Sequence, residues 1–213
     1  MRCLTDDERA TEVPMTSSPA REARPVSAGI RRAHAQTMQQ LALMAELAQG
    51  PALELAARAP AVSGWSVAEH LEHLVLADRA VLKGIGRILD DPRPDAAPDT
   101  NLLGKVVLRT GFMPRGRART AAAYEPAAMP QAALHAAILE IDRGLRDLAP
   151  RLGELERSGG RARHLRFGGL GGRQWLRFLV VHHHHHLKIV RDIRRARRAR
   201  RADGLSTVGL PSR

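Results

Sequence analysis

Trp175-Leu176-Arg177-Phe178-Leu179-Val180-Val181-His182-His183-His184-His185-His186-Leu187-Lys188-Ile189-Val190-Arg191-Asp192-Ile193 contains five consecutive histidines, and the reading of that run decides the fold. The run resembles a purification tag, but a tag sits at a terminus in polar company. Here Leu176, Phe178, Leu179 and Val180 precede it and Leu187, Ile189 and Val190 follow it, so it reads as part of a helix. Wound at about 100° per residue, the stretch places Trp175, Phe178, Leu179, His182, His186, Ile189 and Ile193 in one stripe, with His183, His184 and His185 off it. Two of the five histidines are therefore expected to face a core. Imidazoles at i and i+4 on a buried face need partners for their nitrogens, and helices use this spacing to hold a metal. A third ligand must then come from elsewhere in the chain.

The 213 residues fit one domain with a sizeable core. The only cysteine, Cys3, precedes a second candidate start at Met15, so neither a disulfide framework nor a zinc-cysteine cluster is available. The acidic opening (Asp6, Asp7, Glu8, Glu12) lacks the pattern of a signal peptide and no apolar run approaches membrane-spanning length, which predicts a cytoplasmic protein. Of the formal charge of +12, the eight cations and one carboxylate between Lys188 and Arg201 supply +7. The basic excess is thus concentrated in one terminal segment rather than spread over a nucleic-acid-binding face.

Residues 1–26 mix charges with Thr, Ser and Pro and show no apolar period, which predicts a disordered leader. From Ser27, the positions Ile30, Leu41, Met44 and Ala48 lie on one helical face that Gly50 and Pro51 terminate. His34 falls on this face too, where a histidine is more often a hydrogen-bonded core residue than a ligand. In Trp65-Ser66-Val67-Ala68-Glu69, Ser66 is a helix N-cap and Glu69 closes a capping box, opening a second helix that buries Val67, Leu71, Leu74, Val81 and Ile85 and runs to about Leu89. Pro92, Pro94 and Pro98 mark a turn-rich connection, Leu102–Arg109 a short helix, and Gly111–Pro130 a long ordered loop of the kind that covers a site. A third helix beginning near Pro130 buries Leu134, Ile138, Ile141, Leu145 and Leu148, and Gly168–Gly172 precede the fourth. Four long amphipathic helices without convincing strands predict an all-α chain, a four-helix bundle over 27–202, followed by a flexible tail at 203–213.

On the second helix, His70 and His73 are the available partners for His182 and His186, and periodicity alone slightly favours His70. The elements Trp65-Ser66-Val67-Ala68-Glu69-His70-Leu71-Glu72-His73-Leu74, His164-Leu165-Arg166-Phe167-Gly168, Trp175 and His182 to Leu187 resemble the DinB-like superfamily across about residues 28–195. The resemblance implies a four-helix bundle in which one histidine of the second helix and an HxxxH pair of the fourth bind a divalent metal. It carries the first ligand onto His73, with His70 as the alternative, and the other two onto His182 and His186. Leu165 and Lys188 stand where such proteins often have Pro and Gln.

Three imidazoles leave a coordination position open, the arrangement of catalytic rather than structural zinc. Zinc is the default ion, and nickel, iron or copper also suit imidazole ligands. Because neutral histidines do not offset the ion's charge, the open position favours a hydroxide or a thiolate. The resemblance implies thiol S-transfer or thiol-dependent isomerisation, with a low-molecular-weight thiol as second cofactor and a small-molecule electrophile as partner. A hydrolase would want a carboxylate base, for which Asp78, about one turn beyond His73, is the best placed; it serves equally as a residue supporting the ligands. Arg115, Arg117 and Arg119 are candidates to orient an anionic substrate. A non-enzymatic binding module whose arginine-rich helix end contacts nucleic acid ranks well below these readings: aromatic residues make up 3% of the chain, and none lies among those arginines. A homodimer is left open, and no membrane partner is expected.

Overall fold

The fold was analysed in a computed structural model, which describes residues 25–91, 93, 97–116 and 120–206, with side chains described to residue 200. Nearly all of the expected leader, and Arg117 and Arg119, lie outside the described residues. The described chain is mostly helical. Its long helices are α1 (Ala28–Ala48), α3 (Val67–Asp90), α5 (Gln131–Leu148) and α7 (Gly172–Ser206); the shorter ones are α2 (Ala52–Leu55), α4 (Leu102–Thr110) and α6 (Leu152–Arg157). Among the described residues no helix is long and apolar enough to cross a membrane.

Helix ends follow local chemistry. Ser27 caps α1 and α1 ends just before Gly50-Pro51. At α3 both halves of the capping box form: the Glu69 amide donates to Ser66 Oγ at 3.2 Å and the Ser66 amide donates to Glu69 Oε2 at 2.6 Å. Two of the orphan amide donors at the helix start are thereby satisfied. Ser66→Ala is expected to cost about 1 kcal/mol in denaturant unfolding, and an unchanged midpoint would show that the box does not hold the start of α3.

Each of α1 and α3 packs against both α5 and α7. Residues that the apolar period marks meet in the core: Leu41 and Met44 of α1, Leu71 and Leu74 of α3, Ile138 and Leu145 of α5, and Leu179 and Ile193 of α7 are all fully buried, and Ile88 and Leu176, outside those stripes, are buried with them. Burial of a side chain of this size contributes about 1.5–3 kcal/mol. The packing of these four helices, rather than propensity, therefore fixes which residues of α3 and α7 face one another.

The structure departs from the expectation at three places. A two-stranded antiparallel hairpin, β1 (Arg161–His164) and β2 (Gly168–Gly171), pairs Arg161 with Gly171 and His164 with Gly168. Its strands are too short and too glycine-rich to show an alternating pattern, and Gly168 adopts φ 80° beside the Asp99 carbonyl, where a Cβ would collide. The hairpin anchors α4, since the Asn101 amide donates to the Phe167 carbonyl at 2.8 Å and Asn101 Nδ2 to the Arg166 carbonyl at 2.7 Å. Second, α7 continues to Ser206, four residues past the expected end of the bundle. Third, His183 is fully buried rather than off the buried surface. Because α7 packs on both α1 and α3, its buried arc is wider than one stripe, and three of the five histidines lie inside it.

Candidate metal centre

Helix α3 contributes His70 and His73, and α7 contributes His182 and His186, all of them buried. One ring nitrogen from each of His73, His182 and His186 lies within 4.8 Å of the others. His73 Nε2 and His182 Nε2 are 3.2 Å apart. The His73 Nδ1–H donates to the Tyr124 carbonyl at 2.8 Å, so the proton is held on Nδ1 and the Nε2 lone pair is turned into the cluster. Two nitrogens bound tetrahedrally to one ion at the usual 2.0–2.1 Å stand about 3.3 Å apart, so this pair fits a shared divalent ion.

Burial sets the protonation of the cluster. Desolvation is the largest cause holding His73 below the ordinary 6.5, and it holds His182 and His186 well below it, with neighbouring imidazoles adding to the effect. The three rings are therefore neutral at pH 7 and offer lone pairs. Their planes are fixed by aromatic neighbours: Phe178 stacks on His182 at 5.1 Å and 16°, and Trp65 on His186 at 6.4 Å and 19°. His182 Nδ1 is buried without a hydrogen-bond partner.

His70, the alternative ligand, lies behind this group rather than within it. Its Nδ1 meets His186 Nδ1 at 2.9 Å and its Nε2 meets Ser63 Oγ at 2.9 Å. That contact occupies one nitrogen of His186 and leaves Nε2 for the cluster. A residue that fixes the ring of a metal-ligating histidine typically contributes 10- to 100-fold in affinity. His70→Ala is accordingly expected to weaken metal binding by about tenfold or more while one ion per chain is still reached at saturation. Competition against a chromophoric chelator measures this, and loss of the ion even at saturation would make His70 a ligand itself.

The buried carboxylates of α3 are both committed. Asp78 places its two oxygens 2.9 Å from His183 Nε2, and both side chains are fully buried. It joins α3 to α7 and makes no hydrogen bond to the three clustered histidines. Glu72 accepts the amides of Ala127 and Met129 at 2.8 and 2.9 Å, docking the loop that also delivers the Tyr124 carbonyl to His73. The part of the expected loop from Tyr124 to Met129 thus lies against the α3 side of the site. Neither Glu72 nor the His183–Asp78 pair was legible beforehand, since a carboxylate beside a histidine on a wheel does not reveal which amides or rings it will meet.

The remaining candidates are placed elsewhere. His34 is half-buried, and its Nε2 donates to the Leu145 carbonyl at 2.7 Å, which ties α1 to α5. Arg115 pairs with Asp192 at 2.8 Å, fastening the loop to α7. Near the basic end, Arg194 lies 3.5 Å from Glu54 and Arg197 donates to the Leu53 carbonyl, while Arg195, Arg198 and Arg200 are exposed.

A family model describing the DinB superfamily matches residues 35–190. This chain belongs to the DinB superfamily. No match was found among curated proteins or solved structures. The DinB match spans α3 and the part of α7 that carries His182 and His186, and it stops before the arginine-rich segment that begins at Arg191. The histidine cluster therefore lies within the family's common portion of this DinB chain and the basic end lies beyond it.

A pH dependence follows from the buried rings. Desolvation lowers His70 and His164 to about 4, and lowers His185 as well. Between that value and 6.5 the unfolded chain binds more protons than the folded one, so folding stability is complete above pH 6.5 and falls as pH drops below it. Metal-free protein is expected to show a denaturant midpoint that declines from pH 7 to pH 4.5. A flat midpoint would mean that these imidazoles are not desolvated.

Proposed function

We propose that this DinB-superfamily chain is a divalent-metal enzyme of four-helix-bundle type, with zinc held by His73, His182 and His186, that activates a small thiol for transfer to an electrophile. The four long helices, with α1 and α3 each packed on α5 and α7, support the bundle reading. The observation that carries the metal site is the convergence of three buried imidazole nitrogens within 4.8 Å, with His73 held in the tautomer that presents Nε2. A divalent ion held there stabilises an anionic ligand such as a thiolate at a pH below the free thiol's own pKa.

The chain's own groups favour thiol chemistry over hydrolysis. Hydrolysis calls for a carboxylate that can take a proton beside the site. Asp78 spends both oxygens on His183 and Glu72 spends both on loop amides. Cys3 is the single cysteine of the sequence and precedes the second candidate start at Met15, so this reading takes its sulfur from a free low-molecular-weight thiol. Trp65 and Phe178 border the cluster and shield it from water, while Glu72 and His73 hold the 124–129 loop above it.

Cobalt-loaded protein tests this reading. Addition of the accepted thiol is expected to produce a sulfur-to-metal charge-transfer band, and turnover of epoxides or alkyl halides should require that thiol. Thiol-independent ester or amide hydrolysis that disappears in His186→Ala would overturn the transferase reading.

A further inference from the structure

Helix α4 buries Gly104, Val107 and Leu108 and turns large apolar side chains outward. Leu102 is 77% exposed, Leu103 54% and Val106 49%, and Phe112, just past the helix, is 69% exposed. At the other end lies Leu165, 63% exposed in the hairpin turn, which the bonds from Asn101 to the Arg166 and Phe167 carbonyls hold against the start of α4. The apolar surface therefore runs the length of the helix. Scattered single apolar residues on a surface need no explanation, but a continuous patch of this kind marks an interaction site.

The chemistry of the rim identifies the partner. At 100° per residue Leu102, Val106 and Leu103 form a stripe, and Lys105 and Arg109 form its flank. No acidic residue occurs in the sequence between Thr100 and Tyr124, which includes α4 and Phe112, nor between Arg157 and Arg191, which includes Leu165. Asp99, the nearest carboxylate before α4, is paired with Arg161.

We propose that the outer face of α4, with Phe112 and Leu165, docks on the surface of an anionic lipid bilayer, with the apolar side chains entering the interface and Lys105 and Arg109 meeting the headgroups. A nucleic acid offers phosphate but no apolar phase for five large side chains. A second copy docking through this same face would bring no opposite charge to Lys105 and Arg109, since α4 carries no carboxylate. An anionic bilayer supplies both the apolar phase and the opposite charge. The contact is peripheral, in keeping with the absence of a membrane-crossing helix among the described residues.

Sedimentation of the full chain with vesicles of phosphatidylcholine, with and without phosphatidylglycerol, at low salt decides the matter. Binding is expected only with phosphatidylglycerol and should weaken as salt is raised. The Leu102→Ser/Phe112→Ser variant is expected to lose binding by about tenfold or more. Lys105→Glu/Arg109→Glu should lose it comparably, and Arg198→Gln/Arg200→Gln should lose far less. Circular dichroism establishes that each variant is folded. Failure of folded wild-type protein to bind the anionic vesicles overturns the proposal, as does retention of binding by the folded Leu102→Ser/Phe112→Ser variant. A concentration-dependent dimer abolished by that variant, without vesicle binding, would assign the face to self-association instead.

Discussion

Replacing His186 by alanine is expected to reduce divalent-metal affinity by at least about 100-fold and to leave no stoichiometric ion after dialysis. Structural zinc sites with four ligands bind with about 10–16 kcal/mol in all, or about 3 kcal/mol per ligand, and each 1.4 kcal/mol is a factor of ten. His186 contributes more than its own nitrogen, because its Nδ1 links the cluster to the His70–Ser63 pair described above. His184, exposed on the other side of α7, serves as the internal control. His184→Ala removes an imidazole from the same run and should leave affinity unchanged. Calorimetric titration of both variants separates a site defined by helical phase from nonspecific binding to a histidine-rich segment. Equal losses in the two would favour the nonspecific explanation.

The largest stability effect is expected at a pair that takes no part in the cluster. His183 and Asp78 have no solvent exposure, and both Asp78 oxygens rest on one ring nitrogen. His183→Ala leaves that carboxylate buried with its hydrogen-bond partner gone. Removal of one member of a buried pair costs about 3–5 kcal/mol, most of it the penalty of the stranded group. In a chain of this size that corresponds to a fall in Tm of about 6–20 °C. Asp78→Asn, which keeps a carbonyl oxygen to meet the ring, should cost much less. The difference distinguishes a specific pair from general crowding of the core: if His183→Ala and Asp78→Asn destabilise equally, the pairing contributes little beyond shape. Neither variant changes a ligand, so metal stoichiometry should survive wherever the protein remains folded.

These two positions also show what a sequence can and cannot convey. His182 and His186 were legible because the 3.6-residue period of their apolar neighbours fixes a helical phase, and the α3 start was legible because Ser66 and Glu69 carry their own hydrogen-bonding chemistry. His183 was misread for the same reason that His182 was read well: a single stripe is the correct template for a helix with one buried side, and α7 has two. Between His70 and His73, periodicity alone slightly favoured His70, and it was the resemblance to the DinB-like superfamily that pointed to His73. In the structure His73 meets the Tyr124 carbonyl, brought by a loop docked on Glu72, and His70 meets Ser63, brought by the turn before α3. Both are tertiary contacts with no local signature. The hairpin escaped because glycine-rich strands of four residues carry no alternation.

The central claim, one divalent ion held by His73, His182 and His186, is tested most directly by elemental analysis of untagged protein together with X-ray absorption at the metal edge. Wild-type protein is predicted to carry one divalent ion per chain with an imidazole-nitrogen first shell, and His73→Ala to carry none. Wild-type protein that takes up no ion when divalent metals are supplied, or a His73→Ala variant that retains a full equivalent with an unchanged shell, would contradict the account.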